Sequence, residues 1–402
     1  MKYIVILGDG MADYPIASLG GKTPLEAAYK PYMDIIANKG VCGLVKTVPD
    51  DLPPGSDVAN LSVMGYDPYK YYTGRSPLEA ASIGVDLSAD DTAFRVNLVS
   101  LSVEDDYKQK NMLDYSADEI TTAEAKALIS DIDRALGSDV LKFYSGISYR
   151  HLLVWHGCDK TFNLTPPHDI SGKRITSYLG DSPLIKNLMQ KSHEILKNHP
   201  INIKRAENGL KCANSIWIWG QGKKPTLPSF YDIYKIKGAV ISAVDLIKGL
   251  AIYSGLEKID VEGATGNINT NFGAKADAAL KALKNNDYVY VHIEAPDECG
   301  HRFETENKVK AIELIDEKIV RPIFEELTKE GVDFSILVTP DHPTPLSLGT
   351  HTNDAVPYAI YRKGDNNSNG IYSEKTAKKG KYISEGHKLL GLFIDGGRHA
   401  GK

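Results

Sequence analysis

Five short apolar runs, at residues 3–7, 239–242, 288–293, 334–339 and 358–361, constrain this chain most. None shows the polar alternation of a strand with one wet face. Each therefore reads as a central parallel strand, buried on both sides. Helical patterns lie between them. Residues 274–284 carry Ala and Leu at helical spacing, and 307–329 set Ile312, Ile315, Ile319 and Ile323 along one side. Strand–helix alternation over 239–362 implies an α/β sheet covered by helices.

The middle of the chain is patterned differently. Between about 80 and 220, residues 121–136 read as a helix, and 93–100, 151–156 and 215–219 as strands. Strands outnumber the crossovers a parallel sheet needs, so this region reads as α+β. Gly and Pro cluster at 220–228 as in a linker, with 67–77 as its partner. A chain of 402 residues is too long for one ordinary core. The expected organisation is a discontinuous catalytic domain, 1–75 and 225–402, with a smaller α+β domain inserted at 76–224. Residues 364–370 read as an exposed loop.

Charge and cysteine usage exclude several classes. The net charge is −5, with no basic run to suit nucleic acid and no polybasic tail to suit a membrane surface. Cys42, Cys158, Cys212 and Cys299 are scattered and form no C-x-x-C pair. They read as reduced thiols of a cytoplasmic enzyme, not as a zinc cluster or disulfide scaffold. The apolar start ends at Gly8-Asp9-Gly10, too short for a secretory signal. No run approaches the roughly 18 apolar residues of a bilayer span.

Metal-type ligands recur after the strand candidates, where open α/β sheets bind their ligands. Asp9 follows the first run between two glycines. Taken alone it is more often a helix cap or turn aspartate, since Asp favours such positions. Ser56 follows Pro53-Pro54-Gly55; a serine hydroxyl is a weak nucleophile until metal coordination or a base activates it. Alone it is more often a turn or helix cap. Asp297 and His301 stand at i, i+4, which sets both side chains on one face of a helical turn. Asp341-His342 closes the fourth run, and His351 lies a little beyond it. Carboxylate with imidazole suits zinc or manganese. Together these residues make two metal sites: Asp9, Ser56, Asp341 and His342 in one, Asp297, His301 and His351 in the other. Two ions about 3.5–4 Å apart can activate an attacking oxygen and stabilise the leaving one, as phosphoryl transfer requires.

These motifs, in this order, resemble the alkaline phosphatase superfamily. Gly8-Asp9-Gly10-Met11, Pro54-Gly55-Ser56-Asp57-Val58-Ala59-Asn60 and Gly65-Tyr66-Asp67-Pro68 are similar to the archaeal-type cofactor-independent phosphoglycerate mutases. So are Phe94-Arg95-Val96-Asn97, Pro167-His168-Asp169-Ile170-Ser171-Gly172-Lys173 and the segment 346–357, so the resemblance runs nearly end to end. It implies an alkaline-phosphatase-like, mostly parallel sheet with helices on both faces. It implies interconversion of 3-phosphoglycerate and 2-phosphoglycerate through a phosphoserine at Ser56, in glycolysis and gluconeogenesis. It also implies two divalent ions (Mn²⁺, Zn²⁺, Co²⁺ or Mg²⁺) and no 2,3-bisphosphoglycerate. The inserted domain would bind substrate and act as a lid. Its candidates for a carboxylate and a phosphate are Arg75, Arg95, Arg150, His151, His168, Asp169 and Lys173, with Asp169 open to orienting a cation or a glycerate hydroxyl instead. Two other activities use the same scaffold: a homoserine kinase-type phosphotransferase and a metal-dependent phosphatase.

Overall fold

The computed structural model describes residues 1–395. Its strands are β1 (Lys2–Gly8), β2 (Val41–Val45), β3 (Asp91–Leu101), β4 (Met112–Asp114), β5 (Leu141–Tyr144), β6 (Arg150–His156) and β7 (Ser215–Lys223). They continue with β8 (Gly238–Ile241), β9 (Glu257–Ile259), β10 (Tyr288–Ile293), β11 (Phe334–Thr339), β12 (Val356–Arg362) and β13 (Lys381–Ile383). The chain forms two compact units, Met1–Tyr72 with Thr226–Lys402, and Thr73–Pro225.

The first unit holds an eight-stranded sheet in the order β13-β2-β12-β11-β1-β10-β8-β9. β1 sits between β10 and β11 and is parallel to both. β8, β9 and the β2–β13 pair add further parallel ladders. Among the described residues of this sheet, only β12 runs against its neighbours, β11 and β2. This corrects the reading of 358–361 as a parallel strand. An apolar run reports burial on both faces, and that burial is the same whichever way the strand points.

Successive side chains of a strand face opposite ways. Ile4 and Ile6 of β1, with Val289 and Val291 beside them in register, meet Met33, Ile36, Ile312 and Ile315 from the helices Pro31–Lys39 and Thr305–Ile315. The long amphipathic stretch 307–329 is broken by a π-helical turn, Asp316–Val320, yet its four isoleucines all stay buried. β1 places Val5, Leu7 and the following Asp9 on the other face, with Tyr290 and His292 of β10 level with Val5 and Leu7. The helices Ser56–Val63 and Asp245–Tyr253 belong to that side and contact one another. The expected α/β class, with helices over the sheet, is the one observed.

The second unit is antiparallel throughout. β3 pairs with β6, with β7 along Thr92–Val99, and with β4 at Ser100 and Leu101, while β5 extends from β6. The helices Thr122–Leu136 and Pro183–Leu196 lay Leu128, Ile129, Leu188 and Met189 into a core with Phe94, Val96 and Leu98. The segment read as a linker at 220–228 is strand as far as Lys223. Its glycines mark a close backbone approach: a Cβ on Gly222 would lie 2.6 Å from Thr73 O.

Candidate metal centre

Three adjacent strands end at one point. Asp9 follows β1, the helix Ala295–His301 follows β10, and Asp341-His342 follows β11. Carboxyl ends of neighbouring parallel strands are where an α/β sheet builds a site. Gly10 makes the turn after Asp9 with φ +64°, and a Cβ there would lie 2.6 Å from Thr344 Oγ1 and 2.8 Å from Asp297 Oδ1. Only glycine meets both demands. Its N–H donates to Asp341 Oδ1 at 3.1 Å, tying the turn to β11.

Asp297, His301 and His351 form one group. His301 Nε2 and His351 Nε2 face each other at 2.9 Å, with Asp297 oxygens 3.2 Å from the first and 3.4 Å from the second. His301 Nδ1 faces Gly349 O at 2.9 Å, so it donates its Nδ1 proton there and turns Nε2 into the group.

Asp9, Asp341, His342 and Ser56 form the other. His342 Nε2 lies 3.5 Å from Asp9, 3.4 Å from Asp341 and 3.1 Å from Ser56 Oγ. Thr344 Oγ1 donates to Asp297 and lies 3.3 Å from His342 Nδ1. A hydroxyl whose proton goes to a carboxylate can only accept from the imidazole. His342 therefore carries its proton on Nδ1 and turns a lone pair toward Ser56. Ser56 opens the helix Ser56–Val63 behind an extended Gly55, at the end whose dipole favours negative charge. Like His351, which follows β11 at a distance, it lies well beyond its preceding strand, β2.

The electrostatics of these groups ask for cations. Burial, then the facing Asp341 and Asp297 carboxylates, holds the Asp9 carboxyl well above its usual range. Burial also opposes charge on Asp297, but hydrogen bonds to His301 and His351 outweigh it and hold that carboxyl well below. His301 loses to burial but gains more from Asp297, and rises to about 9. His342 is pushed down by burial. Asp9 Oδ1 is buried with no hydrogen-bond partner. Donor atoms of Asp297, His301 and His351, and of Asp9, Asp297 and His342, gather within 4.8 Å in each set. An orphaned carboxylate oxygen among imidazole nitrogens is a donor set that divalent ions fit, an ion taking the place of the proton on His301 Nε2.

In the second unit Arg75, Arg95 and Arg150 gather around Glu79. Arg75 Nε and Arg95 Nε reach its two oxygens at 2.8 and 3.0 Å. Burial raises the Glu79 carboxyl, yet Arg95, Arg75 and Arg150 together bring it below its usual range. Arg95 also lies over the Trp219 ring at 4.1 Å, and His168 meets the same ring edge-on at 5.4 Å. Arg95 and Arg150 share a sheet face, because Arg95 pairs with Leu152, two residues from Arg150 on β6. His151 is turned to the opposite face, where it is buried and its Nδ1 accepts from Gly146 N–H at 3.1 Å. It does not join the arginines. Asp169 and Lys173 are exposed, and the Lys173 ammonium is held by Asp169 O at 2.9 Å.

The family model described as 2,3-bisphosphoglycerate-independent phosphoglycerate mutase matches residues 37–202. A second, type I phosphodiesterase / nucleotide pyrophosphatase, matches 168–352. A Methanosarcina barkeri protein named 2,3-bisphosphoglycerate-independent phosphoglycerate mutase is 50% identical, over 98% of this chain and 99% of its own. The chain belongs to that family.

A Geobacter sulfurreducens protein, named a probable 2,3-bisphosphoglycerate-independent phosphoglycerate mutase, is also 50% identical, over 98% of this chain and 100% of its own. Among solved structures, a Pyrococcus horikoshii protein superposes with TM-score 0.82 at 32% identity, covering 98% of this chain and 96% of that one. The cofactor-independent phosphoglycerate mutase of Thermoplasma acidophilum gives 0.65 at 25% identity, covering 98% and 99%. Among the described residues no helix is long and apolar enough to cross a membrane.

Three side chains of this family member's centre went unread in the sequence. Asn60 donates to Asp341 Oδ2 at 2.8 Å and accepts from Tyr290 Oη at 2.6 Å. Thr344 bridges Asp297 and His342, as described above. His292 meets Asp9 Oδ2 at 2.9 Å. The available signal was His292 itself, an ionisable residue inside an otherwise apolar buried strand. Glu79 was legible only as an i, i+4 partner of Arg75.

Proposed function

We infer that this chain interconverts 3-phosphoglycerate and 2-phosphoglycerate without 2,3-bisphosphoglycerate. One observation carries the reading. In a chain 50% identical to named mutases over nearly its full length, a serine hydroxyl stands 3.1 Å from an imidazole between two groups of metal-type ligands.

Asp9, Ser56, Asp341 and His342 would hold one divalent ion, and Asp297, His301 and His351 the other. Bound there, manganese, zinc, cobalt or magnesium would neutralise phosphoryl charge and lower the pKa of an oxygen nucleophile. Ser56 takes the phosphoryl group: a bond forms from Oγ to phosphorus as the bond to the glycerate C3 oxygen breaks, and the serine proton passes to that oxygen. The C2 hydroxyl of the same glycerate then attacks the phosphoserine, its proton returning to Ser56 Oγ. Net hydrolysis is avoided only if water is kept from the phosphoserine.

The second unit is the substrate-binding domain in this reading. Arg75, Arg95 and Arg150 supply forked donors for a carboxylate or phosphate, and Glu79 and Trp219 hold Arg95 in place. His168 borders them. Asp169 and Lys173 would contribute from the exposed loop after it. The reaction is that of a cytoplasmic enzyme, which suits the four free cysteines.

The test is a mutase assay on metal-loaded protein with 3-phosphoglycerate and no 2,3-bisphosphoglycerate. It follows 2-phosphoglycerate through enolase and counts free phosphate in parallel. Turnover with little free phosphate, lost on chelation and restored by Mn²⁺, is the expected result. Release of free phosphate instead would identify a phosphatase. No product from protein shown to hold two ions would overturn the reading.

A further inference from the structure

The two oxygens of Asp9 have different surroundings. Oδ2 meets His292 Nε2 at 2.9 Å, while Oδ1 lies 3.5 Å from His342 Nε2 and has no hydrogen-bond partner. His292 is fully buried on β10, level with Leu7 of β1 and so just short of Asp9. Its other nitrogen, Nδ1, lies 3.2 Å from Ser242 Oγ, beyond the end of β8. That oxygen accepts the Val244 N–H at 2.9 Å.

An acceptor-only carboxylate at Asp9 fixes the direction of the chain. Ser242 Oγ is an acceptor for Val244, which leaves its own proton for His292 Nδ1. His292 then carries the ring proton on Nε2 and gives it to Asp9 Oδ2. The opposite tautomer would press two lone pairs together, because a carboxylate serving a cation has no proton to offer. Donors thus run from Val244 through Ser242 and His292 to Asp9, and they spend only one Asp9 oxygen.

We propose that His292 is a positioning residue of the metal centre: it clamps Asp9 Oδ2 so that Oδ1 is presented to a divalent ion. The proposal rests on the two-metal reading above. His292 also falls within a group of possible ligand atoms with Asp9 and Asp341. A ligating imidazole needs a free lone pair, however, and here Nε2 bears the proton while Nδ1 is engaged by Ser242. Its role is the one hydrogen-bonded partners of metal-binding carboxylates play, whose loss costs about 10–100-fold in affinity.

Two variants separate the donor from the bulk of the ring. His292→Leu removes the donor, whereas His292→Gln sets an amide N–H near the position of Nε2–H. Each is freed of metal, checked by circular dichroism, and titrated with Mn²⁺ and Co²⁺ by calorimetry, with the visible Co²⁺ spectrum recorded. His292→Leu is expected to bind one of the two ions about 10–100-fold more weakly. His292→Gln is expected to keep wild-type affinity and an unchanged Co²⁺ spectrum. Wild-type affinity in His292→Leu would overturn the proposal. So would a His292→Gln protein as weak as His292→Leu, or one whose spectrum shows an imidazole ligand lost. Should His292→Leu not fold, the affinity and spectrum of His292→Gln decide alone. Wild-type protein that takes up no ion would instead overturn the two-metal reading.

Discussion

Acid is expected to loosen the second unit through His151. The ring is 4% exposed, and its Nδ1 lone pair accepts from Gly146 N–H at 3.1 Å. The ring proton therefore sits on Nε2, which is buried without a partner. A second proton would need the lone pair already given to Gly146, and its charge would stand beside Arg150 without water. Burial first, and Arg150 second, push this imidazole down to about 3, against about 6.5 for a free one. As pH falls, the unfolded chain then takes the proton first. Stability is unaffected above about pH 6.5, falls by roughly 1.4 kcal/mol per unit below it, and levels off near the folded value. Between about pH 7.5 and about pH 5 the loss is about 2 kcal/mol from this one group. His151→Asn keeps an acceptor near Nδ1 but cannot titrate. All three tryptophans, Trp155, Trp217 and Trp219, lie in this unit, so indole fluorescence reports its unfolding selectively. Urea unfolding of chelated protein at the two pH values should show wild type losing about 2 kcal/mol more than the variant. Equal losses, at matched denaturant slopes, would refute the reasoning.

Other outcomes test the catalytic reading. Ser56→Ala should abolish turnover and leave no phosphoprotein detectable by mass spectrometry, with circular dichroism unchanged; wild-type-like turnover would remove Ser56 from the mechanism. Arg95→Met should lower kcat/KM by about 10–100-fold, the size of a lost charge-assisted hydrogen bond at about 1.5–3 kcal/mol. Enolase-coupled kinetics that match wild type would remove Arg95 from the substrate contacts.

What could be read in the sequence followed from local rules. Asp297 and His301 share a face because a helical turn returns every i, i+4 pair to the same side, and the helix Ala295–His301 is that turn. Asp9 and Asp341-His342 lie together because apolar runs buried on both faces become central strands, and loops leave such strands at their ends. What escaped reading depends on neighbours far along the chain. β9 and β13 are three-residue edge strands of mixed exposure, with no run long enough to declare them. The antiparallel course of β12 is invisible because its residues are buried equally in either direction. Arg95 and Glu79 meet only because the helix Ser76–Ser82 packs on β3.

By itself, the sequence determined the strand-and-helix grammar of the sheet, the two regimes of patterning along the chain, and which side chains are candidates for metal-binding and nucleophilic chemistry. Those are properties of short segments, set by periodicity, turn residues and donor type. Only the tertiary structure decided which groups face each other. It brought residue 9 beside residue 292, 56 beside 342, and 297 between 301 and 351. It also turned His151 away from the arginines around Glu79 while aligning Arg95 with them. The physical reason is the pleat and the register. A strand's neighbours are chosen by burial of its whole face, and one residue's step along it reverses the side on which a functional group appears.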